Sequence, residues 1–302
     1  MLNFNDISLA DKVWVDELLG YSGFMGTEYC FTSLYIWDKI YNSKICRYKE
    51  FLLLRSISGE MVNYLYPAGK GDLKESIEML IADSRSIGHS FHITSIPTEG
   101  RTKLEELFPE RFEFTSARNS FDYIYDRDNL ATLSGKKYQS KRNHIARFKE
   151  LPDWEYERIS CDDLNKLAGQ IDECIEMNRE WCKINKCYDN SSLHNETCAA
   201  TKALKNFTEL KLRGGILRLS GKVVAFTIGE PLNKDTFIIH IEKAFSEIKG
   251  SYPFINQQFI LHETDGYKYI NREDDAGDEG LRKAKLSYHP VLMVEKYIAK
   301  EK

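Results

Sequence analysis

The stretch Thr236-Phe237-Ile238-Ile239-His240-Ile241-Glu242-Lys243-Ala244-Phe245-Ser246-Glu247-Ile248-Lys249-Gly250-Ser251-Tyr252, read on to Tyr288, decides the fold. Phe237 to Ile241 are β-branched or aromatic apart from the histidine, which predicts a strand. Ser246 to Ser251 read as a turn with one glycine. Residues 251–263 then place Phe254, Ile255, Gln258, Phe259 and Leu261 so that the apolar members recur at helical spacing. A helix that begins just beyond a strand end aims its first-turn N–H groups past that end. With Lys249 alongside, such a terminus favours anions.

Working outward, the second half reads as a strand at 154–159, helices at 161–184 and 193–212, and strands at 215–219, 223–229 and 236–245. After the 251–263 helix come a strand at 267–271, a helix at 279–287 and a last strand at 291–297. The first half reads as a helix at 11–19, strands at 51–57 and 62–66, a helix at 72–86 and a strand at 91–96 that Pro97 stops. A short helix at 101–108 and strands at 111–115 and 120–125 complete it. This is α+β material with short connections. At 302 residues the chain is long enough for two cores. The expected domains are 1–127 and 128–302, the second opened by a basic helix at about 135–149.

Hydrophobic residues at 42% and charged residues at 29% describe an ordinary globular chain. No run approaches the ~20 apolar residues of a membrane span. Met1-Leu2-Asn3-Phe4-Asn5-Asp6 has neither the basic start nor the apolar core of a secretory signal, so a cytoplasmic location is expected. The net charge of −4 attracts no polyanion globally, and any such contact must be local. Seven cysteines without a Cys-x-x-Cys pair indicate reduced thiols. Cys182, Cys187, His194 and Cys198 are the best candidates for soft metal ligands, but they straddle a helix end and the next helix start instead of a tight turn. The acidic run Glu273, Asp274, Asp275, Asp278 and Glu279 lacks the glycine and closing glutamate of a calcium loop. No metal is expected. Neither a Gly-x-Ser-x-Gly elbow nor a Cys-His nucleophile signature is present.

Between the halves, residues 135–149 carry six lysines or arginines and no acid before Glu150. Tyr138, Ile145 and Phe148 supply an apolar side, while Lys137, Lys141 and His144 share a face. One reading is a basic helix over the second domain's cleft that holds phosphate. The other is a solvated helix joining the halves.

Ile241-Glu242-Lys243-Ala244, Lys249-Gly250-Ser251-Tyr252, Ile255-Asn256-Gln257-Gln258-Phe259, Asn271-Arg272-Glu273-Asp274-Asp275-Ala276-Gly277, Gly280-Leu281-Arg282-Lys283-Ala284-Lys285 and Tyr288-His289-Pro290 carry a family resemblance. Together they resemble the C-terminal domain of bacterial phosphatidylglycerol lysyltransferases and its soluble relatives, from Tyr29-Cys30-Phe31-Thr32 onward. The resemblance implies two tandem acetyltransferase-like (GNAT) domains, each a mixed, mostly antiparallel sheet with flanking helices. It also favours the phosphate-holding reading of the basic segment, because Lys137, Lys141, Arg142, Asn143 and His144 match a recurrent motif there.

Acyl transfer needs a held donor, a deprotonated nucleophile and hydrogen bonds to the developing oxyanion. The expected base is Glu242, whose alternative is an ion pair with Lys243 or Arg282. Asp275 is the second candidate, and Asn271 would orient a substrate. Lys249, Arg282, Lys283 and Lys285 are the expected phosphate or carboxylate binders, joined by Gly250 and Asn256 of the turn and helix. Tyr252 and Tyr288 would lend hydroxyls. The CoA version of this fold uses a Gln/Arg-x-x-Gly-x-Gly/Ala turn, whereas Glu247-Ile248-Lys249-Gly250-Ser251-Tyr252 ends in a bulky ring. CoA is therefore disfavoured and no cofactor is expected. The resemblance implies transfer of an aminoacyl group from aminoacyl-tRNA, or of another acyl group, to an amine or hydroxyl on a lipid headgroup or small molecule. A CoA-dependent N-acyltransferase and a non-catalytic module binding RNA, lipid headgroup or a protein remain as alternatives.

Overall fold

The computed structural model describes residues 2–59 and 61–302. Two compact units result. The first comprises Met1–Tyr123, Glu273–Lys285 and Leu292–Lys302, the second Ile124–Arg272 and Leu286–Val291. The expected second domain takes in all of 128–302, whereas Glu273–Lys285 and Leu292–Lys302 are built into the first unit.

In the first unit the chain forms β1 (Asn5–Asp6), α1 (Lys12–Ser22), α2 (Phe31–Ile36), α3 (Asp38–Tyr41), β2 (Ser43–Tyr48), β3 (Phe51–Ser58), β4 (Met61–Leu65), β5 (Ala68–Gly69), α4 (Leu73–Ser86), β6 (Ser90–Pro97), α5 (Thr98–Leu107) and β7 (Phe112–Ser116). It then enters β8 (Asp122–Asp126), which leads into the second unit. There it forms α6 (Arg127–Thr132), α7 (Gln139–Lys149), β9 (Trp154–Ile159), α8 (Leu164–Ile184), α9 (Ser191–Lys205), β10 (Arg213–Leu219), β11 (Lys222–Pro231), β12 (Thr236–Ala244), α10 (Ser251–Glu263) and β13 (Tyr269–Asn271). The chain closes with α11 (Glu279–Leu286), β14 (Leu292–Val294) and β15 (Lys296–Glu301).

The first sheet runs β1-β2-β3-β4-β6-β15-β7, with β5 on β3. Only its β4–β6 pairing is parallel among the described residues. β15 lies between β6 and β7, with Tyr297 opposite both Ile96 and Ser116. The last strand therefore completes the first sheet. Its physical reason is that β6 and β7 each have a ladder edge to satisfy, and β15 satisfies both while burying Ala299 in the core. α4 covers this sheet through Ile77, Leu80 and Ile81, one stripe at helical spacing, and its Asp72 cap accepts the Glu75 N–H.

Within the second unit the sheet runs β8-β13-β12-β11-β10-β9. β12 and β13 are parallel, which requires a crossover, and α10 provides it. A bulge opposite Ile228 and Gly229 leaves His240 of β12 unmatched in the ladder. α10 buries Phe254, Ile255, Phe259 and Ile260. Phe259 meets Phe237 at 5.8 Å, while Phe254 lies 5.0 Å from Phe148 of α7 and 4.9 Å from Trp154 of β9. The basic segment is helical, a 3-10 turn at Lys136–Tyr138 followed by α7, with Tyr138, Ile145 and Phe148 buried. Gly250 precedes α10 with φ of 93°, and a Cβ there would stand 2.2 Å from the His144 carbonyl oxygen. Only glycine lets α7 pack so close. Among the described residues no helix is long and apolar enough to cross a membrane.

Candidate functional site

Neighbouring residues of a strand point to opposite faces, so Glu242 and Lys243 of β12 belong to different surroundings. On one face the Glu242 carboxylate accepts 2.9 Å from Arg272 Nη2 and 2.8 Å from Asn256 Nδ2 of α10. The expected pairing with Lys243 or Arg282 is replaced by one with Arg272, just beyond the end of β13. The Arg272 guanidinium lies 4.8 Å from the Tyr288 ring centre and 5.7 Å from that of Tyr125. From α7, the Lys141 ammonium sits 3.9 Å from the same Tyr288 ring centre. Among the described residues it has no hydrogen bond and no ion pair. Burial, aided by Arg272 and opposed by Glu242, brings the Lys141 pKa down to about 8. Burial raises the Tyr288 phenol, and the Tyr288 carbonyl accepts 3.1 Å from the Tyr138 hydroxyl.

On the other face, buried Lys243 donates 2.6 Å to Glu196 Oε1 of α9 and stands 3.4 Å above the Trp181 ring of α8. Trp181 Nε1 donates 3.1 Å to the Tyr252 hydroxyl, whose pKa burial pushes up to about 12. Tyr252 is thus engaged on the Lys243 side. At the α10 terminus the Ser251 N–H is bound to the Ile248 carbonyl at 3.1 Å, and Pro253 has no N–H. The space beside Gly250 is filled by the His144 carbonyl and Phe148. These residues do not fit a CoA pyrophosphate, which needs an open approach to the backbone at this turn. Lys249 is exposed there.

Along the basic segment, Arg142 donates to the Leu133 carbonyl, to the Gly135 carbonyl at 2.8 Å and to Gln139 Oε1 at 2.5 Å. Expected as a phosphate binder, it braces the loop that leads into α7. Asn143 Oδ1 accepts 2.8 Å from Gln139, whereas the Lys137 and His144 side chains are exposed.

Asn271 is buried within β13. Asp275, Arg282, Lys283 and Lys285 belong to the first unit. Buried Asp275 accepts two bonds of 2.8 Å from Arg282, one of 2.5 Å from the Tyr123 hydroxyl, one of 2.9 Å from the Gly277 N–H and one of 3.3 Å from Arg118. Burial alone would raise its pKa, yet these donors outweigh it and hold the carboxyl well below the usual range. A carboxylate so filled anchors a loop and has no capacity left for a substrate proton. Lys285 is buried and donates to the Asp274 carbonyl, and Lys283 is exposed. Nearby, buried Lys296 donates 2.8 Å to Asp122 and pairs with Glu28 at 2.7 Å.

Cys182 and Cys187 are buried in mutual contact, while His194 and Cys198 pair at the surface with 3.7 Å between Nε2 and Sγ. Among the described residues, no three of these four side chains gather closely enough to share an ion.

Of the residues expected to serve a site, Lys141, Glu242, Asn256 and Tyr288 come together. Arg272 is not among the residues expected at the site, and Lys243 is expected only as an ion-pair partner of Glu242. Period-two alternation along β12 separates Glu242 from Lys243, and Arg272 follows the end of a parallel strand, where α/β sheets place their sites.

A conserved protein of unknown function from Bacteroides thetaiotaomicron VPI-5482 has a solved structure 44% identical to this chain, with all of both chains covered and a TM-score of 0.93. L-PGS from Bacillus licheniformis is similar over 95% of this chain and 90% of its own, at 16% identity and a TM-score of 0.64. A tandem GNAT protein from the clavulanic acid biosynthesis pathway shares the fold at 9% identity and a TM-score of 0.51, covering 99% of this chain and 98% of its own. An uncharacterized protein of Mycoplasmoides gallisepticum is 28% identical over 191 residues, 60% of this chain and 56% of that relative. The chain thus spans little more than half the length of that curated relative. The fold is of the tandem GNAT type, two mixed sheets with flanking helices. Residues 22–300 match the model described as "Phosphatidylglycerol lysyltransferase, C-terminal", and the chain belongs to that family.

Proposed function

We propose that this chain transfers an aminoacyl group from aminoacyl-tRNA directly to an amine or hydroxyl acceptor, and that the cluster around Glu242 and Arg272 is where it does so. Family membership supports the class of reaction. The observation that carries the site is an arginine fixed in direction by Glu242 and backed by two aromatic rings, with a second cation, Lys141, beside it. Two cations against one carboxylate leave the cluster net positive. That suits a carbonyl oxygen acquiring negative charge, or a terminal phosphodiester of the donor. The exposed Lys137 side chain extends positive charge along the basic segment, where a nucleic-acid backbone would be bound electrostatically. The acceptor is a small amine or a lipid headgroup. Acetyl-CoA is disfavoured as donor because the α10 turn offers no pyrophosphate cradle.

The test is transfer of radiolabelled amino acid from charged tRNA to a panel of amines and phosphatidylglycerol vesicles. Wild type should transfer, and Arg272→Met should lower kcat by about 10²–10³-fold while still melting cooperatively above the assay temperature. Lys137→Ala should flatten the logarithmic salt dependence of tRNA binding by roughly 0.7–0.9. Micromolar acetyl-CoA binding with acetyl transfer, and no tRNA retardation at low salt, would overturn the proposal in favour of a CoA-dependent N-acyltransferase.

A further inference from the structure

We infer that Lys141 Nζ is the proton acceptor for the attacking amine or hydroxyl, an assignment that rests on the transferase reading above. Glu242, the base expected from sequence, has both oxygens committed, one to Arg272 and one to Asn256. Arg272 cannot give up its charge, Asn256 is no base, and the Tyr288 phenol is buried with its proton held more firmly than usual. Lys141 is the one member of the cluster whose polar atom makes no hydrogen bond or ion pair among the described residues.

Its surroundings suit the task. Glu242 from β12, Arg272 after β13 and Tyr288 after α11 face it, and Lys137 lies four residues earlier, in the 3-10 turn before α7. Arg272 disfavours a second positive charge, as does removal from water. The Tyr288 ring stabilises the ammonium once formed without locking the proton as a carboxylate partner would. A lysine of ordinary pKa near ~10.4 is almost wholly protonated at neutral pH. One at about 8 is neutral in roughly a tenth of molecules at pH 7, close to the optimum for a base working there.

The step balances without a co-reactant. The acceptor nitrogen or oxygen bonds to the aminoacyl carbonyl carbon, and its proton passes to Lys141 Nζ. The carbonyl–ribose C–O bond then breaks, and the ribose oxygen leaves with the proton that Lys141 returns.

Lys141→Arg separates this role from anion binding, because it keeps the charge and the ring contact but cannot lose its proton. Expected is tRNA affinity within about 2-fold of wild type and kcat reduced by about 10²-fold or more. Wild-type kcat should rise with pH to a plateau above about 8. Competitive acetylation of the intact protein, read by mass spectrometry, reports the titration of Lys141 independently of transfer. Labelling like an ordinary surface lysine, or Lys141→Arg with wild-type kcat and pH profile, overturns the assignment while leaving the transferase reading intact. A wild-type chain that transfers nothing to any acceptor, although Lys141 labels with a midpoint near 8, overturns both.

Discussion

Two arginine–carboxylate pairs sit on the two units and differ in how completely they are satisfied. In the first unit Asp275 and Arg282 form a two-pronged pair, to which Tyr123, Gly277 and Arg118 add further donors. In the second unit Glu242 takes one bond on each oxygen, and the neighbouring Lys141 ammonium has only an aromatic face. The first network closes on itself. It fixes a loop whose Glu273 and Ala276 are held at φ of 56° and 47°, left-handed conformations that cost non-glycine residues about 1–2 kcal/mol each. The second leaves a cation ready for an outside partner. Residue types alone would rank the two alike, and saturation is what separates an anchor from a site.

The largest effect that tests this contrast is on stability. Asp275→Ala would strand the buried Tyr123 hydroxyl and leave the half-exposed Arg282 without its carboxylate, and should cost about 3 kcal/mol, measured by urea denaturation at pH 7. Glu242→Gln, which keeps an acceptor for its partners, should cost about 1 kcal/mol. Because the folded Asp275 carboxyl titrates below its unfolded value, its contribution is complete above about pH 4 and is lost as pH falls further. Equal losses in the two variants would erase the distinction between anchor and site.

Much of the fold was legible because its signals are local. The helix expected at 251–263 and the strand at 154–159 coincide with α10 and β9, whose apolar periods are clean. β2, with its polar Ser-Lys-Ile-Cys-Arg-Tyr, escaped notice because a half-buried strand of that composition has little pattern. The place of β15 was illegible for another reason. Strand partners are chosen by tertiary contacts, and no local feature of Lys296 to Glu301 points to β6 and β7. The same limit governs the site. Glu242, Asn256, Lys141 and Tyr288 could be named from their types and motifs, yet nothing local says that Asp275 would be filled by donors or Arg142 spent on carbonyls.

Gly250 offers a smaller perturbation aimed at the second region. Adding a methyl group there places it 2.2 Å from the His144 carbonyl and in a conformation that disfavours side chains. Gly250→Ala should therefore cost about 2 kcal/mol by thermal or urea denaturation. Because α7 must shift to relieve the clash, Lys141 should also lose its place over Tyr288, and its labelling midpoint should move up toward about 10. A stable variant with Lys141 titrating unchanged would show that the close packing of α7 on this turn does not position the lysine.

The smallest effect sharpens the contrast within the first region, where Asp274 sits next to Asp275 and behaves oppositely. Burial raises the Asp274 pKa to about 6, with Glu28 and Glu273 adding to the rise and Lys296 and Lys285 opposing it. An acid whose folded pKa lies above its unfolded value near ~3.9 binds its proton more tightly in the folded chain. Stability from this residue is therefore greatest at low pH, declines between about pH 4 and 6, and stays reduced above that. Asp274→Asn keeps an oxygen for the Ala276 N–H, which Asp274 accepts at 3.0 Å, and removes the charge. The variant should be more stable than wild type by about 1–2 kcal/mol at pH 7 and nearly equal to it at pH 4. Urea midpoints measured across that range decide the matter. A destabilised variant at pH 7, or an unchanged slope between pH 4 and 6, would mean that Asp274 is held charged by Lys296 and Lys285 and belongs, like Asp275, to the anchoring network.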